Sequence, residues 1–351
     1  YLMGMQAEFT RARDWVEKSL SFDKSIDASV FETTIRIIGG LLSAYDLSGD
    51  PIFLERAKQC ADRLLPAFNT PTGLPWNLVN LRTGKAKNPS WTKHSSTLAE
   101  FGTEQMEWIA LSQRTGNPLY REKVEHVLEH LVNSKPSSGL FPLFMDPSSG
   151  KWTSSQISFG AMGDSFYEYL LKVYLMVGRQ GRWTKLLPLW QETMDAMINT
   201  LTRRSSPNKL LYVAEQKNGK LVDKMDHLVC FVPAMLALGA DHTDPEAAKR
   251  YMDTASELTN TCVAFYLRHP TKISPELVLF KGGNDFISGG NHNILRPETV
   301  ESLFLMWRKT KDPIYRDWGW EIFQGFEQYS RSKGGYGGVI DVRKERPYRD
   351  D

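Results

Sequence analysis

Five times along this chain a polar residue heads an apolar, helix-like stretch that runs into Gly/Pro punctuation and then into a second helical stretch. The heads are Glu32, Glu100, Asp164, the pair Asp226-His227, and Glu298, at successive spacings of 68, 64, 62 and 72 residues. A recurrence of this kind signals stacked helix pairs, none of which can bury its apolar face alone. It predicts one large domain of paired helices closing into a toroid. Placing a charged residue at the same end of each inner helix would then gather several acids at one mouth.

The punctuation between the two helices of a pair is shared. Leu47-Ser48-Gly49-Asp50-Pro51, Arg114-Thr115-Gly116-Asn117-Pro118 and Lys309-Thr310-Lys311-Asp312-Pro313 each place an Asx residue beside a proline at the first helical turn. An aromatic follows in each: Phe53, Tyr120 and Tyr315. The opening segment through Glu8, Phe9 and Trp15 fits the same template as an outer helix without an inner partner. Five pairs and one unpaired outer helix are therefore expected. Between an outer helix and the next inner one lie short β-rich runs split by Thr83-Gly84, Ser149-Gly150 and Asn218-Gly219, which predict hairpins. Inner stretches such as Ile37-Ile38-Gly39-Gly40-Leu41-Leu42 are apolar almost all round, which predicts burial on every side, with the Gly39-Gly40 pair allowing close backbone approach. A toroid needs closure. The run from Gly334 to Asp351 should lead into a further inner helix, so elements are expected to be missing at both ends, with the start at Tyr1-Leu2-Met3 reading as a cut one.

Composition bounds the partners. The chain has 351 residues, 41% of them hydrophobic, enough for a large core. Its net charge is +2 with no basic run, which gives nucleic acid or an anionic membrane surface no electrostatic hold. No apolar run approaches the roughly 18 residues of a membrane span, so membrane attachment would need an anchor outside these residues. Three cysteines occur, Cys60, Cys230 and Cys262. An odd count leaves at least one thiol unpaired. A bridge between Cys230 and Cys262, on neighbouring helices, is geometrically reasonable; three reduced buried thiols are the alternative.

A single carboxylate at a helix head is commonly a cap. Here further charges sit one turn deeper: Arg36 at i+4 from Glu32, Glu168 at i+4 from Asp164, and Glu301 at i+3 from Glu298. Pro297 belongs to a first helical turn, so Glu298 should stand near the positive end of the helix dipole. Charges deep among apolar helices must be paired or used. Several carboxylates facing one cavity suit hydrolysis of a glycosidic bond, in which one acid protonates the leaving oxygen and a carboxylate activates water. They also suit binding of a hard cation such as Ca²⁺. His227 has no second histidine at i+3 or i+4, which argues against a transition-metal site, and His292 lies in a Gly-rich loop. No phosphate-binding loop, dinucleotide fingerprint, nucleophile elbow or C-x-x-C motif is present.

Four ordered motifs carry a resemblance. Val30-Phe31-Glu32-Thr33-Thr34-Ile35-Arg36 with Gly39 to Tyr45, Gly163-Asp164-Ser165-Phe166-Tyr167-Glu168, Lys224-Met225-Asp226-His227-Leu228-Val229-Cys230-Phe231, and Leu295-Arg296-Pro297-Glu298-Thr299-Val300-Glu301 are similar to the class I α-1,2-mannosidases, glycoside hydrolase family 47. The resemblance implies an all-α, (α/α)7 toroidal barrel with inserted β-hairpins, here as a single catalytic domain over 1–351 truncated at both ends. It implies Ca²⁺-dependent, inverting removal of terminal α-1,2-linked mannose from high-mannose N-glycans in the secretory-pathway lumen. By motif position it implies Glu32, Asp164 and Glu298 as the catalytic carboxylates, with Glu32 favoured as acid and Glu298 as base. It further implies Arg36, Glu100, Asp226, His227, Arg296 and Glu301 as sugar-site residues, a Cys230–Cys262 disulfide with Cys60 free, and a direct threonine ligand of Ca²⁺ beyond Asp351. Met162 stands where reticulum-type members carry arginine, which implies broader, Golgi-like trimming, whereas Asp226 to Phe231 is more like the reticulum type. A lectin-like mannose-binding protein without turnover is the alternative from another class.

Overall fold

The computed structural model describes residues 1–344 and the backbone of 349–350. Helices dominate, and their starts follow local chemistry. Asp50 and Asn117 accept from the amides of Ile52 and Leu119, each at 3.1 Å, and Asp312 accepts from the amide of Ile314 at 3.0 Å. These acceptors satisfy first-turn amides that have no partner within the helix. Asp244, before Pro245, repeats the device unannounced, taking the amides of Glu246 and Ala247 at 3.0 Å and starting the 23-residue helix Pro245–Leu267.

All five expected helix pairs form among the described residues, with Gln6–Lys18 as the additional outer helix. In four pairs the two helices pack on each other: 30–48 on Pro51–Leu64, Gln105–Thr115 on Pro118–Asn133, Val232–Ala240 on Pro245–Leu267, and Glu298–Thr310 on Ile314–Tyr329. The helix at 30–48 is continuous but widens to π geometry over Thr33–Ile38. Hairpins close at the Gly-containing turns that predicted them, while other small sheets join segments distant in sequence. Leu78–Asn80 pairs with Ala86–Lys87 and with Asp27–Ser29; Glu215–Lys217 pairs with Lys220–Val222 across Asn218-Gly219; Lys224–Asp226 pairs with Leu277–Leu279. Toward the end, Arg331–Ser332 pairs with Gly335–Tyr336 and Gly338–Val339 with Arg349–Asp350. Residues 345–348 and 351, which the sequence reading joined to a further helix, lie outside the described residues.

The chain divides into two compact units. The first comprises residues 1–137, 141–155 and 165–189; the second comprises 138–140, 156–164 and 190–351. In the first, Trp108 is fully buried, edge-on to Phe68 with centroids 4.8 Å apart, and its indole N–H donates to Thr34 at 3.1 Å. In the second, helix Val232–Ala240 presses its Gly239 against Trp190 so closely that an added Cβ would lie 2.0 Å from the ring. The expected close approach at Gly39-Gly40 is not found. A Cβ on Gly40 would meet nothing within 4 Å, and one on Gly39 would make an ordinary 3.4 Å contact with Glu107.

All-round burial holds for Val232–Ala240 but not for the other inner helices. Ile37 and Leu47 on helix 30–48, and Val300 and Phe304 on Glu298–Thr310, are exposed. Periodicity reports how apolar a helix is, not how many of its faces meet a neighbour. No helix among the described residues is long and apolar enough to cross a membrane.

Candidate active site

In the first unit, Ser29 caps the helix that carries Glu32, accepting the Glu32 amide at 3.1 Å. Glu32 lies in the first turn and pairs with Arg36 one turn on. The expectation of a deeply enclosed pair is not met: the two side chains are 47% and 69% exposed.

Glu100 sits in the short helical turn Leu98–Phe101, which breaks before Gln105–Thr115 begins. Burial, and then the charge of Glu32, raises its carboxyl to about 7. Glu104 lies at the break, 1% exposed, and burial followed by the charges of Glu100 and Glu107 pushes it well above the usual carboxyl range. Burial also raises Glu107, although the Tyr169 hydroxyl donates to both of its oxygens, at 2.8 and 3.1 Å, and Lys172 acts in the same lowering sense. One oxygen each of Glu100 and Glu104 is buried without a hydrogen-bond partner. Poor solvation disfavours ionisation throughout this cluster, and neighbouring like charges add to it at Glu100 and Glu104. Glu168, one turn beyond Asp164, pairs with Lys172 at 2.9 Å.

In the second unit, Asp226 ends strand Lys224–Asp226 and leads into the 3-10 turn His227–Phe231, so this head belongs to a strand end and not to a helix. His227 is 1% exposed. Its Nε2 lies 2.9 Å from both the Tyr266 and the Thr299 hydroxyls. Hydroxyl donation to Nε2 leaves the ring proton on Nδ1, which stands 3.1 Å from Glu298 Oε2. The approach is an ion-pair distance without hydrogen-bond direction, so both atoms count as buried and without a hydrogen-bond partner. Glu298 is the first residue of helix Glu298–Thr310, and Glu301 occupies the same first turn. Pro297 stands just before the helix instead of inside it. Arg296 pairs with the buried Glu276, which also accepts the Ile294 amide at 3.2 Å.

Asp164 heads helix Asp164–Val173 and belongs to the second unit. Its amide, and that of Gly163, donate to the Gly160 carbonyl at 3.0 and 3.2 Å. Asp226 faces this turn: its carboxylate accepts from Lys224 at 2.9 Å and lies 3.4 Å from the Ala161 amide. Cys230 and Cys262 are disulfide-bonded, and Cys60 is free, buried, and pushed up by burial to about 12. The 3-10 turn His227–Phe231 and helix Pro245–Leu267 carry the bridge, which the sequence alone left open beside three thiols.

The structure thus brings Glu32, Arg36 and Glu100 together in one unit, and His227, Glu298, Asp226 and Arg296 onto adjoining elements of the other. Sequence reasoning passed over Glu104, Glu107, Tyr169, Tyr266, Thr299 and Glu276. Glu104 and Glu107 follow Glu100 by one and two helical turns, a signal that was available; Tyr266 and Glu276 carry none. Among the described residues no group of three or more His, Cys, Asp or Glu side chains is arranged to hold a metal ion. Ca²⁺ takes six to eight oxygens, and one bare Glu298 oxygen beside an imidazole falls short of that. The described residues do not by themselves form the calcium site that the resemblance implies.

The chain is 51% identical over 343 residues to mannosyl-oligosaccharide 1,2-alpha-mannosidase MNS1 of Arabidopsis thaliana, covering 97% of this chain and 61% of that protein. It is 44% identical over 353 residues to the endoplasmic reticulum mannosyl-oligosaccharide 1,2-alpha-mannosidase of Homo sapiens, covering 98% of this chain and 50% of that one. The chain therefore spans between half and about three-fifths of the length of these relatives. Among solved structures, the alpha-1,2-mannosidase from Trichoderma reesei superposes with a TM-score of 0.90 at 28% identity, over 100% of this chain and 79% of that one. The all-α, (α/α)7 barrel class expected from the sequence is thereby borne out. The model of Glycosyl hydrolase family 47 matches residues 1–351, and with that match over its whole length the chain belongs to this family.

Proposed function

We propose that this chain carries the catalytic residues of an exo-α-1,2-mannosidase that trims terminal α-1,2-linked mannose from high-mannose N-glycans with inversion. The observation that carries the reading is the Glu298 carboxylate: one oxygen is buried and without a hydrogen-bond partner, 3.1 Å from an imidazole nitrogen. Such an oxygen is a ready acceptor for a proton from water, and a proton on Nδ1 would stabilise its charge. In this reading Glu298 is the general base and Glu32 the general acid, delivering its proton through a water, with Asp164 as a third catalytic carboxylate. Arg36, Glu100, Asp226, His227, Arg296 and Glu301 line the sugar site. The names of the relatives support the substrate class, and none of those named supports the binding-only alternative.

Calcium, which mannosidases of this family generally require, and a secretory-pathway location belong to the same proposal. The test is digestion of a nine-mannose glycan with products resolved by mass, arm and anomer. Loss of terminal α-1,2 mannose as the β-anomer is expected. Glu298→Gln should reduce turnover by 100-fold or more while glycan binding persists; unchanged turnover in that variant would overturn the assignment.

A further inference from the structure

We infer that Lys224 is a positioning residue for Asp164, acting through a clamp across the turn at 158–164; the inference rests on the catalytic role proposed for Asp164. The clamp closes through side chains on three segments. The Lys224 ammonium donates to Glu215 at 3.0 Å and to Asp226 at 2.9 Å. Glu215 accepts from the Ser158 hydroxyl at 3.2 Å, and Ser158 in turn accepts the Gly160 amide at 2.9 Å. Asp226 meets the far side of the turn at the Ala161 amide. Ile157 and Gln216 exchange two backbone hydrogen bonds of 2.9 Å, which fix the register beneath.

Gly160 lies at the centre of this ring. A Cβ there would fall 2.7 Å from the Asp226 carboxylate, so the close contact admits no side chain. The Gly160 carbonyl is also the acceptor for the amides of Gly163 and Asp164, and so sets where helix Asp164–Val173 begins. Glu215 and Asp226 retain only 14% and 12% side-chain exposure. Without the ammonium between them, two poorly solvated carboxylates would repel. A lysine suits the place, because one compact charge with three donors can hold two carboxylates that point differently. Burial acts to lower the lysine's pKa, but the two carboxylates outweigh it and the group is held charged.

The test is backbone hydrogen exchange over 160–164 together with glycan kinetics, on Lys224→Met, Lys224→Arg and Ser158→Ala. In Lys224→Met, exchange at the Gly163 and Asp164 amides should rise at least tenfold while helix Pro245–Leu267 is unchanged. At the same time kcat should fall at least tenfold with KM within twofold. Lys224→Arg should restore slow exchange and most of kcat. Ser158→Ala, which opens one side of the clamp and spares the charges, should move exchange and kcat the same way but less, and it decides the matter if Lys224→Met does not fold. Unaltered exchange in both variants overturns the clamp. Faster exchange with full kcat, or a raised KM with full kcat, overturns the link to Asp164. If the wild-type chain cleaves no glycan, the mannosidase reading fails, and the exchange data decide the clamp by themselves.

Discussion

Glu104 is held at the break before helix Gln105–Thr115 with 1% exposure and a bare oxygen, an environment that favours the neutral acid. In the unfolded chain the same carboxyl ionises at its ordinary value, near 4.3. Between that value and its raised value in the fold, the folded protein holds a proton that the unfolded chain has released. Stability therefore falls as pH rises through this window, at about 1.4 kcal/mol per pH unit for each such proton. Glu104→Gln copies the neutral acid and removes its share of the slope. Denaturant unfolding followed upward from about pH 5 should show the variant close to wild type at first and increasingly more stable as pH rises through that window. Parallel curves would mean that Glu104 is ionised in the fold. Its place four residues after Glu100 is visible in the sequence, but a charged side chain on a helix is solvated more often than buried. The direction it faces depends on the chain breaking between Glu100 and helix Gln105–Thr115, and on Tyr169 arriving at Glu107 from a separate segment.

At the scale of elements, much was legible. Asx-Pro punctuation marks where outer helices begin because the unpartnered first-turn amides demand an acceptor, and that demand is local. Hairpin positions followed from Gly-containing turns for the same reason. The Cys230–Cys262 bridge was a different matter, since the residues alone allowed free thiols and only the resemblance implied the pair. It ties the turn before Val232–Ala240 to helix Pro245–Leu267 across a separation of 32 residues. Opening a loop of that length by Cys230→Ala with Cys262→Ala should cost about 3–4 kcal/mol, chiefly through the freedom returned to the unfolded chain. A shift of the denaturant midpoint to lower concentration checks this, and an unmoved midpoint would mean that the bridge contributes nothing to stability. The break of the second inner stretch at Gly102–Glu104, the π geometry of Thr33–Ile38, and the strand end that carries Asp226 were not legible. Each is a compromise between helix propensity and neighbours distant in sequence.

Across the whole chain, order depends on side chains that join distant segments, and Asp285 shows how. It is 2% exposed and accepts from the Ser205 hydroxyl at 2.6 Å, from the Asn208 amide and side chain at 2.8 and 2.6 Å, and from Arg268 at 2.8 Å. Burial acts against its charge, but these donors prevail and hold the carboxyl well below its ordinary range. The stabilisation is complete above the unfolded pKa, near 3.9, and is lost as pH falls below it toward the depressed folded value. Asp285→Asn keeps the shape and the tolerance for positive φ but turns an acceptor into a donor facing donors. It should cost about 2–3 kcal/mol at pH 7 and much less near pH 2, read as the difference in unfolding free energy from wild type. A loss that did not depend on pH would show that packing, not charge, is responsible.

By itself the sequence determined the helix-pair repeat, the capping sites, the turns between strands and the four motifs that mark the family, because each is written in neighbours a few residues apart. The tertiary structure alone decided which carboxylates lose their water and which stay exposed: Glu104 is enclosed while Glu32 is not, and Asp226 is bound to Lys224. Ionisation, pairing and positioning depend on desolvation and on charges brought together from remote segments, and neither is a property of a residue's place in the chain.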